Sequence, residues 1–227
     1  MKYVETQLCK EEINTLINYI EQYAIKSKRS SVDAVSKDFY RVISKQIIFF
    51  KYILNAYPKT YFIKVIISDF LSLILNDIKS EKRYYYLNQR SIIENYLRLI
   101  LKDEQYSDRI TSQSFIDLKA KNHSNLPIEE YNKIMNEYKI SCSYIHGGDY
   151  LKEHLVSNFE ECLEIETKIS KRQRKSQIAQ FIDLVNILSK LFLLNNVEVI
   201  DNSFHRNKAT LKYLMGKQYI SIFHQIK

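Results

Sequence analysis

An all-α, multi-helix bundle is the fold this sequence predicts, and three observations carry the prediction. Apolar side chains recur at three- and four-residue spacing in nearly every segment, which is the period of a helix and not the alternation of a strand. Only three Gly and two Pro occur in 227 residues, far below the usual combined level of roughly 12%. Hairpin turns, phosphate-cradling loops and nucleophile elbows need residues that tolerate positive φ, so a P-loop, a dinucleotide-binding fingerprint and most all-β folds are excluded. Apolar residues make up 45% of the chain, enough to bury one sizeable core, and a single domain over 1–227 is expected.

The first helix is predicted over 6–25, with Leu8, Ile13, Leu16, Ile17 and Ile20 on one face and Glu11 and Glu12 in its early turns. The Ser- and Lys-rich stretch 26–36 reads as a loop. A second helix over 37–56 is stopped by Pro58, because the residue before a proline is driven out of the α region. Helices follow over 61–79 and 83–102. The most apolar stretch, 65–75, contains Asp69 and has about half the length needed to cross a bilayer, so it reads as part of a buried core helix. After Asp103 the pattern weakens into a polar region with a short helix over 114–121 and a turn at 123–127. Pro127 suits a first helical turn, Glu129 and Glu130 suit the positive end of the dipole, and this helix runs to His146, where Gly147 and Gly148 supply the stop. Helices over 153–169, 177–194 and 207–225 complete the pattern.

The chain carries 34 basic and 26 acidic side chains, a net charge of +8. That surplus favours polyanionic partners such as nucleic acid, phospholipid headgroups or acidic proteins. Charge alone also fits a membrane surface, but nothing in the helical pattern adds to it, and no membrane partner is expected. Cys9, Cys142 and Cys162 are odd in number and widely spaced, which suggests neither a disulfide framework nor a zinc-finger array. The opening MKYVETQLCKEEI lacks the apolar core of a signal peptide, so a cytoplasmic location is expected.

Two segments are more polar than a core requires. On the fourth helix Arg90, Glu94 and Arg98 recur every four residues and form a charged stripe, while Ile93, Tyr96, Leu97 and Ile100 lie on the packed side. The stripe reads either as a salt-bridge ladder on a solvated face or as part of a site. In ISCSYIHGG, residues 140–148, His146 falls at a helix end just before a double glycine, where it serves either as a cap or as a proton-exchanging group. Ser143 lies one turn earlier, with Ser141 and Cys142 close by. His146, Glu153, His154 and Glu160 lack regular ligand spacing, so no metal site and no cofactor are expected. A Ser143–His146 hydrolase lacks the strand-turn-helix elbow that such chemistry uses. The run 168–175, KISKRQRK, places Lys168, Lys171, Arg172, Arg174 and Lys175 before an apolar helix, either to track a phosphate backbone or as a solvated connecting turn. Tyr84, Tyr85 and Tyr86 read as base-stacking or as inter-helix packing.

Taken in order, Arg90-Ser91-x-x-Glu94-x-x-x-Arg98 followed by Tyr138-x-x-Ser141-x-Ser143-Tyr144-x-His146-Gly147 resembles divergent members of the HEPN superfamily, helical bundles common in bacterial toxin–antitoxin and phage-defence proteins. The resemblance follows helix order over about 37–194, with 6–25 and 207–225 as additions. It implies a metal-independent endoribonuclease acting on RNA as a toxin or abortive-infection effector, paired as a homodimer and released by a trigger such as a phage-derived protein. Active members carry an Arg four to six residues before the catalytic His, whereas those positions here hold Cys142, Ser141 and Ile140. Either Arg90 or Arg98 supplies the cation from the neighbouring helix, or the chemistry is lost and the chain is a non-catalytic interaction or regulatory module, antitoxin-like or a sensor. In the catalytic reading His146 moves the proton, Arg90 clamps the phosphate, Glu94 orients one of them and Ser143 or Tyr144 donates a hydrogen bond to the phosphate. Arg98, Tyr144, Ser141, Lys139, Lys171, Arg172 and Arg174 then bind substrate.

Overall fold

The computed structural model describes residues 4–26, 32–58, 60–102, 109–146 and 170–216, and among these the secondary structure is helical throughout. The elements are α1 (Val4–Lys26), α2 (Ala34–Ile53), α3 (Thr60–Lys79), α4 (Lys82–Leu101), α5 (Ser112–Lys121), α6 (Ile128–Ile145), α7 (Lys171–Asn195), α8 (Val197–Ser203) and α9 (Lys208–Met215). The all-α expectation holds for the described residues. The predicted helix over 153–169, the part of the last predicted helix over 217–225, Gly147, Gly148, His154, Glu153, Glu160, Cys162 and Lys168 lie outside them.

Boundaries differ from the sequence pattern where local hydrogen bonds outweigh apolar periodicity. α2 begins at Ala34 because the Asp33 carboxylate accepts the Ser36 amide at 2.8 Å. It ends at Ile53, three residues early, in a turn closed by the Ala56 amide on Ile53 O. α7 starts at Lys171, six residues before the predicted start: Ser170 Oγ accepts the Gln173 amide and Gln173 Oε1 accepts the Ser170 amide, a capping box. Lys171, Arg172, Arg174 and Lys175 of the basic run therefore lie in the first turns of a helix and not in a connecting turn. α9 stops at Met215, before Gly216 at φ +91°, a conformation that suits glycine. On α1, Leu8 is 56% exposed and Cys9 takes its place on the buried face with Ile13, Ile17 and Ile20.

α2, α4 and α7 form the core. Phe49, Phe50, Tyr96 and Phe192 meet edge to face or tilted at 5.3–6.3 Å, and all four are fully buried. The Tyr96 hydroxyl is satisfied inside this cluster by Ser189 Oγ at 3.0 Å and Gln46 Oε1 at 3.3 Å, which ties one polar group from each helix together. α3 packs along α4, α6 lies on α4 from another side, and α1 and α9 cover α2. Among the described residues one helical stretch, Arg172–Asn195, is long and apolar enough to cross a bilayer. Its Phe181, Leu184, Val185, Leu188, Leu191 and Phe192 are instead buried against the bundle.

A second polar tie joins α2, α3 and α7. The buried Asp77 carboxylate accepts from Tyr40 OH at 2.7 Å and Arg174 Nη2 at 2.9 Å. Burial pushes the Asp77 carboxyl above the usual aspartate range, although Arg174 opposes it. The folded state thus binds this proton more tightly than the unfolded state, and the group's contribution to stability falls as pH rises above the ordinary aspartate value. Arg174→Ala leaves the carboxylate without its counter-charge. The expected loss is about 2 kcal/mol at neutral pH, below the cost for a fully buried pair because the Arg174 side chain is 35% exposed. That loss shrinks as pH falls into the aspartate range, where a protonated Asp77 carries no charge; urea midpoints at the two pH values measure it.

Candidate functional site on helices α4 and α6

α4 and α6 run antiparallel, with the start of α4 against the end of α6. Arg83 Nη2 donates to Ile145 O at 3.2 Å, Tyr86 stacks flat on Tyr144 at 4.1 Å, and Tyr138 OH donates to Glu94 Oε1 at 3.0 Å. Between them, Gln89 Nε2 donates to the buried Glu137 carboxylate at 2.9 Å. Burial raises the Glu137 carboxyl, and Gln89 counteracts that.

This docking fixes His146. α6 ends at Ile145 and the His146 amide closes the last turn on Cys142 O, so the imidazole stands at the helix C-terminus. The last helical carbonyl takes Arg83, a cation suited to that end of the dipole. His146 Nε2 lies 3.2 Å from Arg90 Nη1. A guanidinium has no acceptor, so this contact is a hydrogen bond only when Nε2 offers its lone pair.

Arg90 is held from three directions: its Nε donates to Glu94 Oε1 at 2.8 Å, its guanidinium lies 5.7 Å from the centre of the Tyr138 ring, and Nη1 reaches His146. Burial disfavours its charge, but the hydrogen bond and charge of Glu94 more than offset this and raise its pKa. Burial and then the neighbouring Glu94 charge push the Tyr138 phenol far up, so Tyr138 acts as a donor and not as a titrating group. Arg98 donates to Asn95 Oδ1 at 3.1 Å, approaches Glu94 Oε2 at 3.8 Å and lies over Phe62.

A cleft of about 550 Å³ opens beside this stripe, lined by Arg90, Glu94, Arg98, Tyr138 and Lys139 together with Arg109 and the start of α5. Arg109 is a cation that sequence reasoning missed. It sits in the polar stretch after Asp103, where no periodicity marks it, and only the burial of Ile110 against the core brings it to α4. Among the described residues no group of three or more His, Cys, Asp or Glu side chains converges as an ion site.

The remaining candidates are distributed differently. Ser141 is buried and its hydroxyl donates to Glu137 O at 2.8 Å. Ser143 is exposed on the last turn of α6. Tyr144 is sandwiched between Tyr86 and the Lys82 ammonium, 4.5 Å from its ring centre. Lys139 is exposed at the cleft, Arg172 is exposed on the first turn of α7, Lys171 begins that helix, and Arg174 is engaged with Asp77 away from the charged stripe. Of the Tyr84–Tyr86 run, Tyr85 and Tyr86 are buried in packing and Tyr84 is 57% exposed.

Tyr144→Ala removes the stack that holds the last turn of α6, a loss of about 1 kcal/mol. The expected result is faster amide exchange at Ile145 and His146 with little change at the centre of α4, measured by hydrogen exchange. Comparison with models of protein families, with characterised proteins and with solved structures finds no match to this chain.

Proposed function

We propose that the chain is a metal-independent endoribonuclease of HEPN type, an intracellular toxin or abortive-infection effector, with His146 and Arg90 as its reacting pair. The observation that carries this reading is the 3.2 Å contact between Arg90 Nη1 and His146 Nε2, with Arg90 also lining the cleft. Residues from two helices supply the base and the fixed cation that the resemblance expects, which answers the lack of an Arg in the turn before His146.

In this mechanism a phosphate draws Arg90 Nη1 onto a non-bridging oxygen and uncovers the Nε2 lone pair. Nε2 takes the proton of the 2′-hydroxyl, O2′ bonds to phosphorus and the P–O5′ bond breaks, leaving a 2′,3′-cyclic phosphate. The departing O5′ takes a proton from solvent and His146 returns its own to solvent. Arg90 stabilises the charge that develops on the phosphate, and Glu94 keeps its guanidinium plane in place. Tyr138 acts through Glu94.

His146→Ala is expected to lower RNA cleavage by about 10²–10⁴-fold and Arg90→Ala by about 10²–10³-fold, chiefly in kcat. Both variants should keep the wild-type helical circular dichroism. Cleavage that EDTA abolishes would reject the mechanism.

A two-fold homodimer belongs to the same reading. Its support is the set of large apolar side chains left exposed on the adjacent helices α3 and α4: Leu71, Leu75, Tyr84 and Leu87. Light scattering is expected to give twice the monomer mass, with a shift to monomer on Leu75→Glu with Leu87→Glu.

The second reading, a non-catalytic interaction module, is favoured by how fully Glu94 satisfies the stripe, taking Arg90, Tyr138 and Arg98 onto one carboxylate. A dimer that never cuts RNA under any activating condition would select it.

A further inference from the structure

We propose that Lys45 is an acylation site, a partly buried amine where α1, α2 and α9 meet, which takes the acyl group of a small acyl phosphate in preference to the exposed lysines of the chain. The site stands apart from the cleft on α4 and α6 and does not rest on the ribonuclease reading.

Lys45 reaches from α2 to α9, where its Nζ lies 4.5 Å from the centre of the Tyr213 ring. Leu211, Leu214 and Met215 bury α9 against the core, and Thr210 Oγ1 meets Thr6 Oγ1 of α1 at 3.0 Å, so the ring is held in place. A ring face attracts an ammonium but accepts none of its three N–H groups as a carboxylate would. Among the described residues Lys45 forms no ion pair and no hydrogen bond. Its side chain is partly buried and not sealed, which admits a reagent as small as acetyl phosphate and disfavours a bulky one.

The titratable and charged groups around this amine are Arg41 of its own helix, Tyr213 of α9, and Cys9 and Lys10 of α1, with Lys10 Nζ 5.6 Å from the same ring. Every carboxylate on the three helices has another partner. Glu5 accepts from Tyr52, Glu11 from Gln7 and Glu12 from Lys51, while Glu21 pairs with Lys37 and Asp38 with Arg41. α9 carries no Asp or Glu, and neither do the sequences 1–3 and 217–227 that precede α1 and follow α9. Burial, and then the charge of Arg41, weakens the hold of Lys45 on its proton, so more of it is free amine at neutral pH than of an ordinary lysine. Acylation uses that lone pair: Nζ bonds to the acyl carbon, the acyl C–O bond breaks with its electron pair leaving on phosphate, and the amine proton passes to solvent. The neutral amide that results no longer places a charge on the Tyr213 ring, which removes this contact between α2 and α9.

The test incubates the full chain with acetyl phosphate and follows acetylation at each lysine by mass spectrometry. Lys64, exposed on α3, and Lys10, exposed beside the same ring, are the references. At about neutral pH Lys45 is expected to react at least about threefold faster than either, because the free-amine fraction of a lysine rises about tenfold for each unit its pKa falls, with part of the gain lost to weaker nucleophilicity. The advantage should vanish in urea, where the helices no longer bury the amine. The rate at Lys45 should also level off at a lower pH than the rate at Lys64, a signature that mere accessibility would not give. Acetylation of Lys45 no faster than of Lys64 in the folded chain, an equal advantage in urea, or levelling at the same pH as Lys64 would each overturn the proposal.

Discussion

The structure depends on how the polar groups of a buried helix are satisfied. Ile92, Ile93, Tyr96, Leu97, Leu99 and Ile100 of α4 are fully buried, yet the same helix carries Gln89, Arg90, Glu94, Asn95 and Arg98. A buried polar group without a partner costs about 1–3 kcal/mol. Asn95 finds its acceptor within α4, on Ser91 O, and Glu94 meets Arg90 of the same helix, but Gln89 needs α6, from which Glu94 also takes Tyr138. Sliding α6 by one turn would separate Gln89 from Glu137 and Glu94 from Tyr138 together, and would unstack Tyr86 from Tyr144. Apolar packing alone is far more tolerant of such a shift. The polar contacts therefore select the register, and the register puts His146 against Arg90.

The same contacts separate positioning from exposure. Glu94 and Tyr138 lie on the inner side of the stripe, while His146 and Lys139 are exposed at its edge. The backbone of His146 is fixed by Arg83 on the preceding carbonyl and by the neighbouring tyrosine stack, so the ring needs little further ordering to meet a ligand. Tyr138 and Ser141, polar residues of the same helix, are spent inside the protein on Glu94 and on a backbone carbonyl.

Much of this was legible in the sequence because the core helices are amphipathic: Ile13, Ile17 and Ile20, or Ile93, Tyr96, Leu97 and Ile100, repeat at the helical period and are buried as that period requires. The Arg90–Glu94–Arg98 ladder followed from spacing alone. Its meeting with His146 did not, since those residues are 56 positions apart and no period connects them. The start of α7 was readable as Ser170-x-x-Gln173, but the apolar pattern begins only at Ile178 and concealed it. Asp33-x-x-Ser36 hid the start of α2 in the same way. Arg174 looked like one more member of a basic run, whereas its partner Asp77 lies 97 positions away and is known only from the fold. Arg109 had no sequence signal at all.

Glu94 decides what kind of ligand this cleft suits. Unopposed, Arg90 and Arg98 would repel one another across a partly buried space, where Coulomb energies exceed those in water. One carboxylate between them removes that cost and sets the direction of the Arg90 Nε–H, leaving Nη1 to reach His146. A second carboxylate on this wall would neutralise the cleft and weaken any anion that entered. Among the described residues that line the cleft Glu94 is the one carboxylate, and it orders Arg90. A ligand competes best there if it brings negative charge to Arg90 without displacing Glu94, because the fork of Arg90 can serve both at once through different nitrogens. A phosphodiester fits that condition: one oxygen takes Nη1 and Glu94 retains Nε, so the cation stays oriented while its hydrogen bond moves from imidazole to phosphate.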